Sequence, residues 1–137
     1  MTILSASEFL RLRSSDVPAE YHRAAHDDAA IDVWRDVIEQ YPDMRFWVAQ
    51  NKTVPVDGLR LLATDQDWKV RSMVAMKRKL PDDLCTLLAL DSNDAVRQSI
   101  ARHRNTPDGV LSVLAADSWP PVAEAAAREV QRRSSLG

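Results

Sequence analysis

Asp65-Gln66-Asp67-Trp68-Lys69-Val70-Arg71-Ser72-Met73-Val74-Ala75 is answered, 26 residues further on, by Asp91-Ser92-Asn93-Asp94-Ala95-Val96-Arg97-Gln98-Ser99-Ile100-Ala101. Counting back by the same step gives Met44-Arg45, and counting forward gives Val122-Ala123. Whole columns then align. Val48, Val74, Ile100 and Ala126 form one apolar column, Ala49, Ala75, Ala101 and Ala127 stand beside it, and Pro55, Pro81 and Pro107 mark the seams. Ala63, Ala89 and Ala115 precede the aspartates Asp65, Asp91 and Asp117. Such a period marks a stacked array, because one small helical unit cannot bury its own apolar face and needs neighbours.

Each period reads as two helices. Leu84, Leu87 and Leu88, like Val110, Val113 and Leu114, repeat at i, i+3 and i+4, the spacing of one buried helical stripe. Pro55 suits a first helical turn, Gly58 suits close packing, and in Thr106-Pro107-Asp108 the threonine is placed to cap and the proline to start. After a polar turn, Val70, Met73 and Val74, and then Val96, Ser99 and Ile100, face the core of a second helix. The expected architecture is all-α: a short solenoid of about four antiparallel helix pairs forming a single domain over residues 1–137. Residues 1–30 would be an atypical N-terminal helical cap, with helices over 5–13 and 18–30 started by Ser5 or Ser7. Residues 31–133 would hold the repeats, and 134–137 a frayed tail.

The pattern Asp, four residues, Val-Arg, then Val or Ile with Ala, followed by a proline and a Leu-Leu-Ala helix, resembles the leucine-rich repeat variant family and, more loosely, HEAT-like repeats. The resemblance implies a right-handed superhelix. It also implies a ladder of motif aspartates and arginines along the stack, here Asp65, Asp91, Arg71 and Arg97. Ala123 stands where the last arginine would be, as fits a terminal repeat.

Composition bounds the function. The chain carries 45% hydrophobic and 28% charged residues, so a packed soluble fold is expected rather than disorder. No run reaches the roughly 18 apolar residues of a membrane span, and Met1-Thr2-Ile3-Leu4 does not open a signal peptide, so a cytoplasmic location is expected. The lone Cys85 excludes an internal disulfide and fills the slot of Leu59 and Leu111, which reads as core. Net charge is −2, but basic minus acidic residues give 4 − 9 = −5 over residues 1–44, 11 − 7 = +4 over 45–106 and 3 − 4 = −1 over 107–137.

The central excess is ordered. Arg45 and Lys52, Arg71 and Arg78, and Arg97 and Arg104 are seven residues apart, which on a continuous second helix would place each pair on one face. Lys77, Lys79, Arg102 and His103 thicken one edge. Two readings stand side by side: a concave cationic face for a partner, or arginines tied to repeat aspartates, the second applying more to Arg71 and Arg97 than to Arg78 and Arg104. Trp34 reads as core, whereas Trp47, Trp68 and Trp119 either join an interface or cover seams. His22 and His26, beside Asp27 and Asp28, have helical metal-ligand spacing but no third ligand, and read as a solvated face. No catalytic motif, cofactor loop or metal set is found.

The expected function is therefore a non-enzymatic scaffold binding a protein with an acidic surface, as an adaptor or an immunity-type inhibitor. Its binding residues would be Arg71, Arg78, Arg97, Arg104, Lys52 and Trp68. The alternative is nucleic-acid binding on the same ridge.

Overall fold

The computed structural model describes residues 1–136 of the 137, and among them the fold is all-α. Ten α-helices and a 3-10 turn form the regular structure, with one parallel bridge between Ile3 and Ala29. Two compact units divide the chain, Met1–Met73 and Val74–Gly137.

The first unit contains α1 (Ala6–Ser14), α2 (Pro18–His26), α3 (Ile31–Gln40), the 3-10 turn Pro42–Met44, α4 (Arg45–Gln50), α5 (Val56–Leu62) and most of α6 (Trp68–Ala75). Ser5 caps α1, its side chain accepting from the Glu8 N–H. Helix α2 stops at His26 rather than continuing to residue 30. The Asp28 carbonyl accepts from the Ile3 N–H and Ala29 bridges to Ile3, which draws this segment out of the helix. Helix α1 packs on α2 and α3, and α3 packs on α4 and α5. Between them lie Phe9, Leu12, Trp34, Val37, Val48 and Leu62, all without solvent exposure. The Phe9 and Trp34 rings meet edge to face at 5.4 Å. Gly58 is required by this packing, since a Cβ there would lie 2.8 Å from Val54 Cγ1.

The second unit holds α7 (Asp82–Leu88), α8 (Asp94–Arg102), α9 (Asp108–Leu114) and α10 (Pro120–Leu136). Helix α8 is central, packing on α7, α9 and α10. Helix α10 runs through Ser134–Leu136, where a frayed tail was expected; Gly137 lies outside the described residues.

The 26-residue columns reappear as local structure. Pro55, Pro81 and Pro107 each precede a seven-residue helix, and Ala63, Ala89 and Ala115 each end one with φ and ψ within a degree of one another. The prolines are N-caps rather than first helical residues. Each proline carbonyl accepts the first helical bonds, as Pro107 does from Val110 and Leu111, while its ψ remains extended. Thr106 does not cap α9; it is buried, and its hydroxyl donates to the Ile100 carbonyl at the end of α8.

The buried stripe of the first helices is also shifted. Leu84, Cys85 and Leu88 are buried while Leu87 is exposed, and Leu111 and Leu114 are buried while Val113 is exposed. Val48, Val74, Ile100 and Ala126 are fully buried, as are Ala49, Ala75 and Ala101, but Ala127 is exposed on α10.

Candidate functional site

The arginines of the repeated motif and the arginines seven residues beyond them have different fates. Asp65, Asp91 and Asp117 each hold their own turn, Oδ1 accepting the N–H two residues ahead, at 2.9 Å in all three. The remaining oxygen of Asp65 accepts from Arg45, and that of Asp117 from Arg97, both partners being 20 residues earlier. Arg97 is held by four bonds: it grips Asp117 with Nε at 2.9 Å and Nη2 at 3.2 Å, reaches Asp94 at 2.9 Å and donates to the Asp91 carbonyl at 2.9 Å. Its side chain is only 14% exposed. This pairing raises the Arg97 pKa and holds the Asp117 carboxyl below its ordinary value. Arg71 is half-buried and donates to the carbonyls of Asp65 and Gln66.

Arg45 and Arg97 thus each reach forward to the aspartate of the following motif, while Ala123 occupies the arginine position after Asp117.

Arg78 and Arg104 do not share a helical face with Arg71 and Arg97. Helix α6 ends at Ala75 and α8 at Arg102, so both residues lie on the loops that follow. Lys52 likewise sits on the turn after α4, in the first unit. Pro81 and Pro107 follow Arg78 and Arg104 three residues later and disfavour helical geometry at the residue before them, in keeping with a chain that has already left the helix.

These loops build a groove in the second unit. It encloses about 640 Å³ and is lined by Met76, Arg78, Lys79, His103, Arg104 and Asn105. Two side chains bind the loops together. Asn105 Nδ2 donates to the Arg78 carbonyl at 3.0 Å, and His103 Nε2 meets the Lys77 carbonyl. His103 Nδ1 accepts from the Asn105 N–H at 3.0 Å, which leaves Nε2 to donate to the Lys77 carbonyl. Among the described residues, no carboxylate pairs with the side chains of Arg78, Lys79 or Arg104, and the groove lining contains no acidic residue. Three cations thus converge without an internal counter-charge. Met76, at 60% exposure, adds an apolar rim.

The tryptophans also separate. Trp34 is core, and Trp47 lies beneath the Arg13 guanidinium, 3.7 Å from its ring centre. Trp68, at the start of α6, and Trp119, just before α10, are the exposed pair. Trp68 belongs to the first unit and is not part of the groove.

His26 Nδ1 bonds the His22 carbonyl, and Arg23 holds Asp27 at 2.6 Å. No group of three or more potential metal ligands is found among the described residues. Cys85 is fully buried, and that burial pushes its thiol pKa up.

Behind the groove, Glu129 on α10 is held by Arg132 and Arg133 at 2.7 to 2.9 Å. These guanidinium groups, Arg132 foremost, bring its carboxyl from 4.5 down to about 2. A depressed folded-state pKa gives stability that is complete above the unfolded value and is lost as pH falls through the folded one. The carboxylate should contribute on the order of 2–3 kcal/mol at neutral pH. The stability gap between wild type and Glu129→Gln should therefore close as pH falls from 4.5 towards 2. Urea unfolding of both proteins across that range checks it, and a gap independent of pH would refute the assignment.

No helix among the described residues is long and apolar enough to cross a membrane. No family model, curated protein or solved structure matches this chain.

Proposed function

We propose that this chain is a short right-handed α-solenoid of HEAT-like or leucine-rich-repeat-variant type. It acts in the cytoplasm without catalysis, binding a protein that presents an acidic surface, as an adaptor or an immunity-type inhibitor. The solenoid reading is supported by the recurrence of caps and buried columns at 26 residues, and by arginines that reach forward 20 residues to the next motif aspartate. Such ion pairs couple successive motifs.

One observation carries the functional reading: Arg78, Lys79 and Arg104 converge on a groove with no carboxylate in its lining. Folding does not use these charges, whereas it does use Arg97. Holding like charges together raises the energy of the unbound protein and is relieved by an anionic partner. Cations around an apolar rim suit a protein surface in which carboxylates flank a hydrophobic side chain. Met76 provides that rim.

The test is affinity capture from the native cytoplasm, paired with titration of duplex DNA at two salt concentrations. A stoichiometric protein should be retained by wild type and lost from Arg78→Glu/Arg104→Glu. Sub-micromolar DNA binding that weakens steeply with salt would instead assign the groove to phosphates and overturn the protein-partner reading.

A further inference from the structure

Arg133, on the last helix, stands 26 residues after Pro107 in the column where the earlier periods have proline, and it makes more polar contacts to the groove loop than any groove residue does. Its Nε donates to Glu129 Oε2 at 2.9 Å. Nη1 donates to the Thr106 carbonyl at 2.7 Å and to Asp108 Oδ1 at 2.8 Å. Nη2 donates to the Arg104 carbonyl at 2.9 Å and reaches the His103 carbonyl at 3.5 Å. A guanidinium has five N–H donors, and here every one has an acceptor.

Three of those acceptors are backbone carbonyls of the loop His103–Thr106 that forms one wall of the groove. Carbonyls just past the end of a helix have no helical donor and carry the negative end of its dipole, so a planar cation placed against them satisfies both needs. Glu129 orients the guanidinium from the other side, and Arg132 in turn holds Glu129. The loop is therefore fastened twice, by Arg133 behind it and by Asn105 and His103 to the Arg78 loop in front.

We infer that Arg133 is the positioning residue of the basic groove: its guanidinium fixes the backbone from which Arg104 and Asn105 are presented, so the C-terminal helix is part of the binding site. This rests on the groove reading above for its ligand, but not for its geometry. Lysine cannot substitute, because an ammonium lacks the planar fork needed to reach carbonyls on two sides at once.

The experiment uses the full chain and two variants, Arg133→Lys and Arg133→Met, with two readouts. The first is amide hydrogen exchange without ligand. Exchange at Asn105 and Thr106 should accelerate roughly tenfold in both variants relative to amides inside α8, the mark of local opening. The second is binding of a fluorescent poly-glutamate peptide, whose affinity should fall roughly tenfold although Arg78, Lys79 and Arg104 are all intact. Should Arg133→Met fail to fold, Arg133→Lys alone decides. Wild-type exchange at Asn105 and Thr106 in a folded variant overturns the inference and leaves the groove reading standing. Accelerated exchange in the variants together with no peptide binding by wild type overturns the groove reading and leaves the positioning role standing.

Discussion

Trp34→Ala should be the most damaging single substitution in the first unit, removing about 4 kcal/mol of stability, within the range measured when a buried tryptophan or phenylalanine is truncated. Trp34 is the largest of the fully buried side chains, and its removal would open a cavity against the Phe9 ring. Trp34→Phe should cost less than half as much. The indole Nε1 is buried with no hydrogen-bond partner, so phenylalanine gives up volume while also removing an unsatisfied donor worth about 1–3 kcal/mol. Equilibrium urea unfolding followed by circular dichroism measures both variants. Equal losses for phenylalanine and alanine would show that the indole N–H is satisfied after all.

Asn51→Ala should cost about 3 kcal/mol, although asparagine at a helix end is ordinarily a surface residue. Asn51 is fully buried immediately after α4. Its amide donates to the carbonyls of Ala24 at 2.8 Å and Asp27 at 3.0 Å. Its oxygen accepts from the Thr53 N–H at 2.8 Å and the Thr53 hydroxyl at 2.7 Å. Alanine would leave the far carbonyls and the turn without these partners. Asn51→Asp should be at least as harmful at neutral pH and milder in acid, because an ionised oxygen would face two carbonyl oxygens where the amide donated to them. Thermal melts of both variants over a pH series check this. An Asn51→Asp protein as stable as wild type at neutral pH would contradict the assigned amide orientation.

Asn51 also shows what the sequence could disclose. It belongs to the same 26-residue column as Lys77, His103 and Glu129, four residue types with no common polarity, so no pattern of apolar residues marks the position. Yet Asn51 and His103 both bond a backbone carbonyl 26 or 27 residues earlier. The shared property is a polar reach between loops, which different side chains supply. Columns such as Val48, Val74 and Ile100 were legible because burial admits few residue types and their period survives in the letters.

The cationic ridge was legible in composition but not in placement. Spacing of seven implies a common face only while the helix continues, and α6 and α8 stop before Arg78 and Arg104. The downstream prolines were a partial sign, since they disfavour helix at Leu80 and Thr106, but that preference does not reach back to Arg78 and Arg104. Leu87 and Val113 were misplaced for a related reason, since a seven-residue helix is too short for the i, i+3, i+4 rule to select a face. Arg133 offered no signal, because all but one of its acceptors lie on other elements and are distant in sequence.

The proposed division of labour assigns Arg97 to the stability of the fold and Arg78 and Arg104 to binding. The direct measurement is one set of urea unfolding curves for wild type, Arg97→Met and Arg78→Glu/Arg104→Glu, with poly-glutamate affinity determined on the same samples. Arg97→Met should lose about 2 kcal/mol by stranding Asp117, whereas the charge-reversal variant should stay within about 0.5 kcal/mol of wild type and lose peptide binding. A charge-reversal variant that unfolds as readily as Arg97→Met, or that binds the peptide as wild type does, would contradict the account.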